Sequence, residues 1–214
     1  RRRAARPPAT LVWTGNGANN FWDTGATVGW LNDGAPDRFY FLDDVVFDNT
    51  GASNPIVTLA GDLTPGSVTV NATAAYTFTG NGRITGSTGL AKANSGTLTL
   101  LTTNDYTGPT VISGGAVSVS RLANGGAPSP LGAAAAESTN LVLSSGTLRY
   151  TGGSTTTDRG ATFSGAGAIF DVVNAGTTLT WTGTNVGSGA LIKSGAGTLV
   201  LSANNSFAGG TVLS

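Results

Sequence analysis

The chain has 214 residues, 33 of them glycine, with 11 Lys+Arg balancing 11 Asp+Glu and no cysteine, histidine or methionine. These absences exclude a Ser-His-Asp triad, a Cys-His dyad, a disulfide framework and cysteine-based metal sites. Charged residues are 10% of the chain against a usual ~25%, and glycine stands at about twice its usual share, yet apolar residues recur in alternation, which fits neither collagen nor simple disorder.

Residues 1–10 read as a basic, extended arm. Arg1, Arg2, Arg3 and Arg6 carry four of the eleven positive charges, and Pro7-Pro8 disfavours helix. Such a run is ordinarily a solvated terminus. A sharper reading docks it on an acidic patch of a neighbouring copy. The missing initiator methionine is expected of a chain that has been processed or cut from a longer protein. Nucleic acid is not an expected partner, because residues 7–214 hold 7 positive and 11 negative charges and lack the basic face that phosphate contacts need.

Residues 11–50 form an aromatic and acidic block. Trp13, Phe21, Trp22, Trp30, Phe39, Tyr40 and Phe41 lie here, with Asp23, Asp33, Asp37, Asp43, Asp44 and Asp48. The aromatics predict a hydrophobic cap for a stack of repeats. The competing reading makes Trp13, Trp22 and Trp30 a platform for sugar rings. Asp43-Asp44 and Asp48 read as a polar turn beside a Val45-Val46-Phe47 strand rather than as a calcium site. No metal, cofactor or catalytic residue is assigned.

From residue 51 onward the pattern is strand and turn. Ser67–Val70, Tyr76–Phe78, Thr97–Leu100, Ala116–Val119, Asn140–Leu143, Thr147–Tyr150, Thr178–Trp181 and Thr198–Leu201 alternate apolar with polar residues and end in Gly, Asn or Ser. The only stretch compatible with helix is Leu131–Glu137, short enough to be a loop. No apolar run approaches the ~18 residues of a membrane helix, so no membrane insertion is expected of this segment. Asp158-Arg159 predicts a local salt bridge fixing a turn.

Residues 90–113 align without gaps on residues 191–214, with 11 of 24 positions identical. Gly96, Leu98, Leu100, Asn104 and Gly108 of the first copy match Gly197, Leu199, Leu201, Asn205 and Gly209 of the second. Lys92 likewise matches Lys193. Such duplication predicts an all-β, parallel β-solenoid spanning 51–214, with coils of ~20–25 residues; a β-sandwich is the alternative. The leucines should point inward. Gly108 and Gly209 should supply positive φ after Tyr106 and Phe207, and the asparagines should bond turn backbone or stack in a ladder.

The run Gly195-Ala196-Gly197-Thr198-Leu199-Val200-Leu201-Ser202, continuing through Asn205, Phe207, Gly209, Gly210 and Thr211, resembles the autotransporter-associated β-strand repeat of bacterial surface passenger domains. The copy from Asn94 departs at Asn94, Leu101 and Pro109. The resemblance implies a single-stranded right-handed parallel β-helix, extracellular or displayed on the bacterial cell surface.

Scarce charge beyond residue 50 argues against an enzyme. The expected role is a structural scaffold. Its C-terminal residues Thr211, Val212 and Leu213 stop inside a repeat, so the remainder of a longer chain, or a second copy offering its Arg1–Thr10 arm, is expected to cover them. In the latter case a head-to-tail filament forms. A glycan-binding adhesin is the alternative, and a polysaccharide lyase or hydrolase the third.

Overall fold

The computed structural model describes residues 6–214. Eight coils stack in parallel. Their first-face strands are Thr10–Trp13, Asp44–Phe47, Ser67–Asn71, Leu90–Ala93, Thr110–Ile112, Leu141–Ser144, Ala161–Ser164 and Asn185–Gly187, each parallel to the next. The second face is built from Phe21–Trp22, Ile56–Leu59, Tyr76–Gly80, Thr97–Leu100, Ala116–Val119, Thr147–Tyr150, Ala168–Val172, Leu191–Ser194 and Thr211–Leu213. The third face is broken. Asp62–Leu63 pairs with Arg83–Ile84, and Thr155–Thr157, Thr178–Trp181 and Thr198–Leu201 stack farther along. Parallel ladders between consecutive coils are the solenoid arrangement and not that of a sandwich.

Alternation decides which side chains fill the interior. On the first face one inward row runs Phe47, Val70, Lys92, Ile112, Leu143, Phe163. On the second face another runs Tyr76, Leu98, Val117, Leu148, Phe170 and is continued in register by the half-buried Lys193 and the exposed Leu213. Stacked Val, Leu and Phe exclude water along the whole axis, at roughly 1.5–3 kcal/mol per buried side chain.

The N-terminal end is closed by aromatics. Trp13, Trp22, Trp30 and Phe39 are buried and pack edge-on, with ring centroids 4.9 Å apart for Trp13–Trp30 and 5.5 Å for Trp22–Phe39. The outer edge of Thr10–Trp13 is paired antiparallel by Trp30–Asn32, which is paired in turn by Ala35–Asp37. Pro36 lies in that outermost strand, where a missing N–H blunts an exposed edge.

The glycan platform expected of Trp13, Trp22 and Trp30 is therefore corrected. All three are at most 1% exposed, because they pack edge-on against one another and against Phe39 and Phe47, which seals the interior of the first coil. The exposed aromatics of this region are Tyr40 and Phe41.

Successive first-face strands from Asp44 onward begin 23, 23, 20, 31, 20 and 24 residues apart. The long interval contains residues 120–140, which leave the stack as a loop. Leu131–Glu137 is part of that loop and forms no helix.

Candidate functional site

The two repeat copies carry the same devices at their corners. Asn104 Oδ1 accepts the backbone N–H of Ile84 at 3.0 Å, and Asn205 Oδ1 accepts that of Asn185 at 2.8 Å. Both bonds reach back 20 residues into the coil below, where the chain bends and the strand ladder lapses. The ammonium of Lys92 turns from its apolar row to donate to the carbonyls of Ala93 (2.7 Å), Asn94 (2.9 Å) and Gly114 (3.3 Å). Lys193 repeats this toward Ser194 (2.5 Å) and Gly195 (2.9 Å). These cations satisfy carbonyls at a corner, where no strand can.

The repeat glycines act differently from the expectation. Gly108 and Gly209 are not positive-φ residues. A Cβ on Gly108 would sit 2.5 Å from the Thr88 carbonyl oxygen, and one on Gly209 2.3 Å from the Ala190 nitrogen. Their absent side chain lets adjacent coils touch backbone to backbone. Gly96 and Gly197 are likewise crowded, by the Ala74 and Asn174 carbonyls. The left-handed corner belongs to Asn94 (φ 57°) and Gly195 (φ 76°), two residue types that tolerate it.

The copies do not occupy the same faces. Leu90–Ala93 lies in the first-face sheet, whereas its counterpart Leu191–Ser194 lies in the second-face sheet. Leu98 and Leu100 are fully buried, while Leu199 and Leu201 pack partly buried against the core.

The residues expected to mediate self-association fall into three groups. Arg1, Arg2 and Arg3 lie outside the described residues. Arg6 is engaged by its own chain: its guanidinium donates to Asp37 at 2.8 Å and to the buried Asp43, and lies 5.0 Å from the centre of the Tyr40 ring. Asp43 also accepts the N–H groups of Ala9 and Tyr40, each at 2.8 Å. Thr211, Val212 and Leu213 form an exposed strand paired on one side to Leu191–Lys193. Asp44 accepts from Ser67 Oγ at 2.6 Å and Asp48 from the Thr50 N–H at 2.8 Å, so both carboxylates serve turns.

The predicted Asp158–Arg159 salt bridge is also corrected, because each residue grips the 120–140 loop instead of the other. Arg159, 3% exposed, donates to the carbonyls of Ala123 at 2.9 Å and Gly132 at 2.7 Å. Burial draws its pKa down from the usual guanidinium value. Asp158 accepts the Gly125 N–H at 2.7 Å. Asn104 fastens the far side of the loop through paired backbone bonds with Ser129 and a 3.0 Å bond from Nδ2 to the Pro130 carbonyl.

Held in this way, the loop overhangs the third face and encloses a cleft of about 350 Å³. Gly80–Arg83 and Leu101–Thr103 line one side, and Arg121 and Pro128 of the loop line the other. A smaller cleft of about 180 Å³ continues past Thr103, Arg121 and Pro128 toward Ser129 and Pro130. Arg83 binds Asp62 at 3.0 Å and Asp105 at 3.4 Å, and this pairing raises its pKa. Arg121 donates to Thr103 Oγ1 at 2.6 Å. Sequence reasoning did not find this cleft. Its one sequence signal was a coil about ten residues too long, between Thr110 and Leu141.

The passenger-associated transport repeat matches residues 90–119 and 191–214. The chain therefore carries two copies of a repeat found in autotransporter passengers. It is also similar to a Brucella suis biovar 1 (strain 1330) protein named adhesin BmaC autotransporter, 49% identical over 126 residues. The match covers 58% of this chain and 4% of that protein, so the chain spans a small fraction of its relative. No solved structure matches the chain.

Proposed function

We propose that the chain is a rigid length of stalk in a passenger polypeptide displayed on the bacterial surface or released from it, without catalytic activity. The observation that carries this reading is the parallel stack, continuous along two faces, with matching corner devices at Asn104 and Asn205 and at Lys92 and Lys193. Each coil contacts its neighbours alone, so length grows by addition and stiffness is kept. At ~4.8 Å per coil, eight coils give a rod about 35 Å long. The buried charges support the same reading. Lys92, Arg159 and Asp43 are each occupied with backbone groups, an arrangement that holds a chain in place. The name of the Brucella relative, an autotransporter adhesin, supports an extracellular setting.

Small-angle scattering of the purified segment should give an elongated particle, and joining a further set of repeats should lengthen it by ~4.8 Å per added coil without added bending. A compact or hinged particle would overturn the reading.

The exposed strand Thr211–Leu213, with Val212 51% and Leu213 80% exposed, supports a second proposal, in which this edge pairs with another coil of its own kind. Negative-stain microscopy of the wild type should then show filaments that shorten on Leu213→Lys. Rods of single-chain length at every concentration would count against self-association.

A further inference from the structure

The geometry points to the cleft beneath the 120–140 loop as a binding site for an acidic saccharide, a sugar chain bearing carboxylate or sulfate groups. Three features converge there. First, the cleft is large enough for one to two sugar rings and runs into the smaller cleft beyond Arg121, so a chain has somewhere to continue. Second, Arg121 stands where the two clefts meet. Among the described residues it has no carboxylate in ion-pair range; its single hydrogen bond goes to the neutral Thr103 hydroxyl. The remaining guanidinium N–H groups are open to an anion, and their fixed fork suits a planar carboxylate or a sulfate.

Third, the wall that carries Arg121 is fastened before any ligand arrives. Arg159 and Asn104 hold the loop through buried bonds, and Asp158 through a part-buried one. Binding therefore costs little ordering of protein. The rest of the lining suits a sugar. Leu101, 51% exposed, and Pro128 offer apolar surface to the C–H face of a ring, while the Asn81 side chain offers hydrogen bonds to hydroxyls. Arg83 is already neutralised by Asp62 and Asp105, so charge recognition falls to Arg121. Because the 120–140 excursion interrupts an otherwise regular coil, the stalk carries its recognition on one side at one level.

The inference goes beyond the stalk reading and is judged separately, by binding instead of shape. Titration calorimetry would use a heparin hexasaccharide, a hyaluronan hexasaccharide and uncharged chitohexaose on the wild-type chain. At least one of the two acidic chains should bind, with affinity falling as salt rises, and chitohexaose should not. Arg121→Gln should weaken binding by about tenfold or more, the size of effect expected for losing a charge-assisted pair. Arg121→Lys should fall between. Arg38→Gln, an exposed arginine of the cap, should change nothing. Arg121 is exposed, so folding should persist in its variants, and circular dichroism checks this. Failure of both acidic chains to bind, equal binding of chitohexaose, or unchanged affinity in Arg121→Gln would each overturn the site.

Discussion

Residues 90–113 and 191–214 write the same coil twice, and the two copies differ in how deeply their leucines are buried. Lys92 sits between Val70 and Ile112 with three carbonyls in reach, the third from Gly114 of the next coil. Lys193 sits between Phe170 and Leu213 and reaches two. Leu98 and Leu100 are sealed, while their partners Leu199 and Leu201 are half-covered. A repeat therefore supplies its own corner chemistry, but its burial comes from the neighbouring coil. This is the nearest-neighbour logic of solenoids expressed in two copies of one sequence.

Truncating the leucines breaks the comparison most severely. Leu98→Ala removes a fully buried side chain from a row closed on both sides, and should lower stability by about 3 kcal/mol. Leu199→Ala, at a partly buried position, should cost about half as much, since solvent already reaches the site. Urea denaturation gives both numbers; equal costs would mean that coverage by the next coil contributes nothing.

The asparagines come next. Asn104→Ala strands the buried Ile84 N–H and frees the Pro130 carbonyl, at about 2 kcal/mol. It should also raise amide exchange through the 120–140 loop. Asn205→Ala should cost about 1 kcal/mol, because water can replace part of what the half-exposed side chain supplied. Hydrogen exchange of Ile84 and Asn185 is the direct readout.

The fold was legible where alternation and duplication were strong. Thr97–Leu100, Thr147–Tyr150 and Thr178–Trp181 are strands where period two placed them, and the 101-residue offset announced stacked coils. The face each copy occupies was not legible. Asn, Gly and Lys build the same corner at any edge of the prism, so the motif marks a bend without saying which one. The roles of Gly108 and Gly209 were missed for a related reason: a glycine that avoids φ strain and one that avoids a coil beneath it look alike in one dimension. Trp13, Trp22 and Trp30 show a similar limit. Their spacing signals an aromatic cluster, but only their packing on one another and on Phe39 and Phe47 turns them inward. The cleft was least visible, since Arg121 and Arg83 are 38 positions apart and meet across a loop that has no repeat counterpart.

Titration sharpens the interior copy. Burial brings the Lys92 ammonium down to about 8 from 10.5. The folded chain then holds that proton less tightly than the unfolded chain, and between about pH 8 and 10.5 the unfolded state binds more protons. The contribution of Lys92 to stability therefore rises with pH across that window. Lys92→Met should flatten this slope, as read from melting temperatures taken at intervals from pH 7.5 to 10.5. A slope unchanged by the substitution would show that the Lys92 amine is solvated in the folded state.

The smallest contrast lies at the left-handed corner. Asn94 and Gly195 hold equivalent positions with φ of 57° and 76°, yet one carries a side chain. Asn94 uses it, donating from Nδ2 to Asn71 Oδ1 at 2.8 Å, an exposed bond between adjacent coils. Asn94→Gly relieves the left-handed penalty and loses that bond, and the unfolded chain gains freedom, so the three effects should nearly cancel to within about 0.5 kcal/mol. Asn94→Ala keeps the penalty and loses the bond, so it should cost about 1–2 kcal/mol. At the other copy a Cβ on Gly195 would stand 2.4 Å from Asp171 Oδ1, so Gly195→Ala must also displace a carboxylate that lies 3.4 Å from Arg149. Alanine should therefore cost more at Gly195 than at Asn94. Equal costs in thermal denaturation would mean that the Asp171 side chain and the Val172 carbonyl, also 2.4 Å from that Cβ, both yield freely and that φ alone governs both corners.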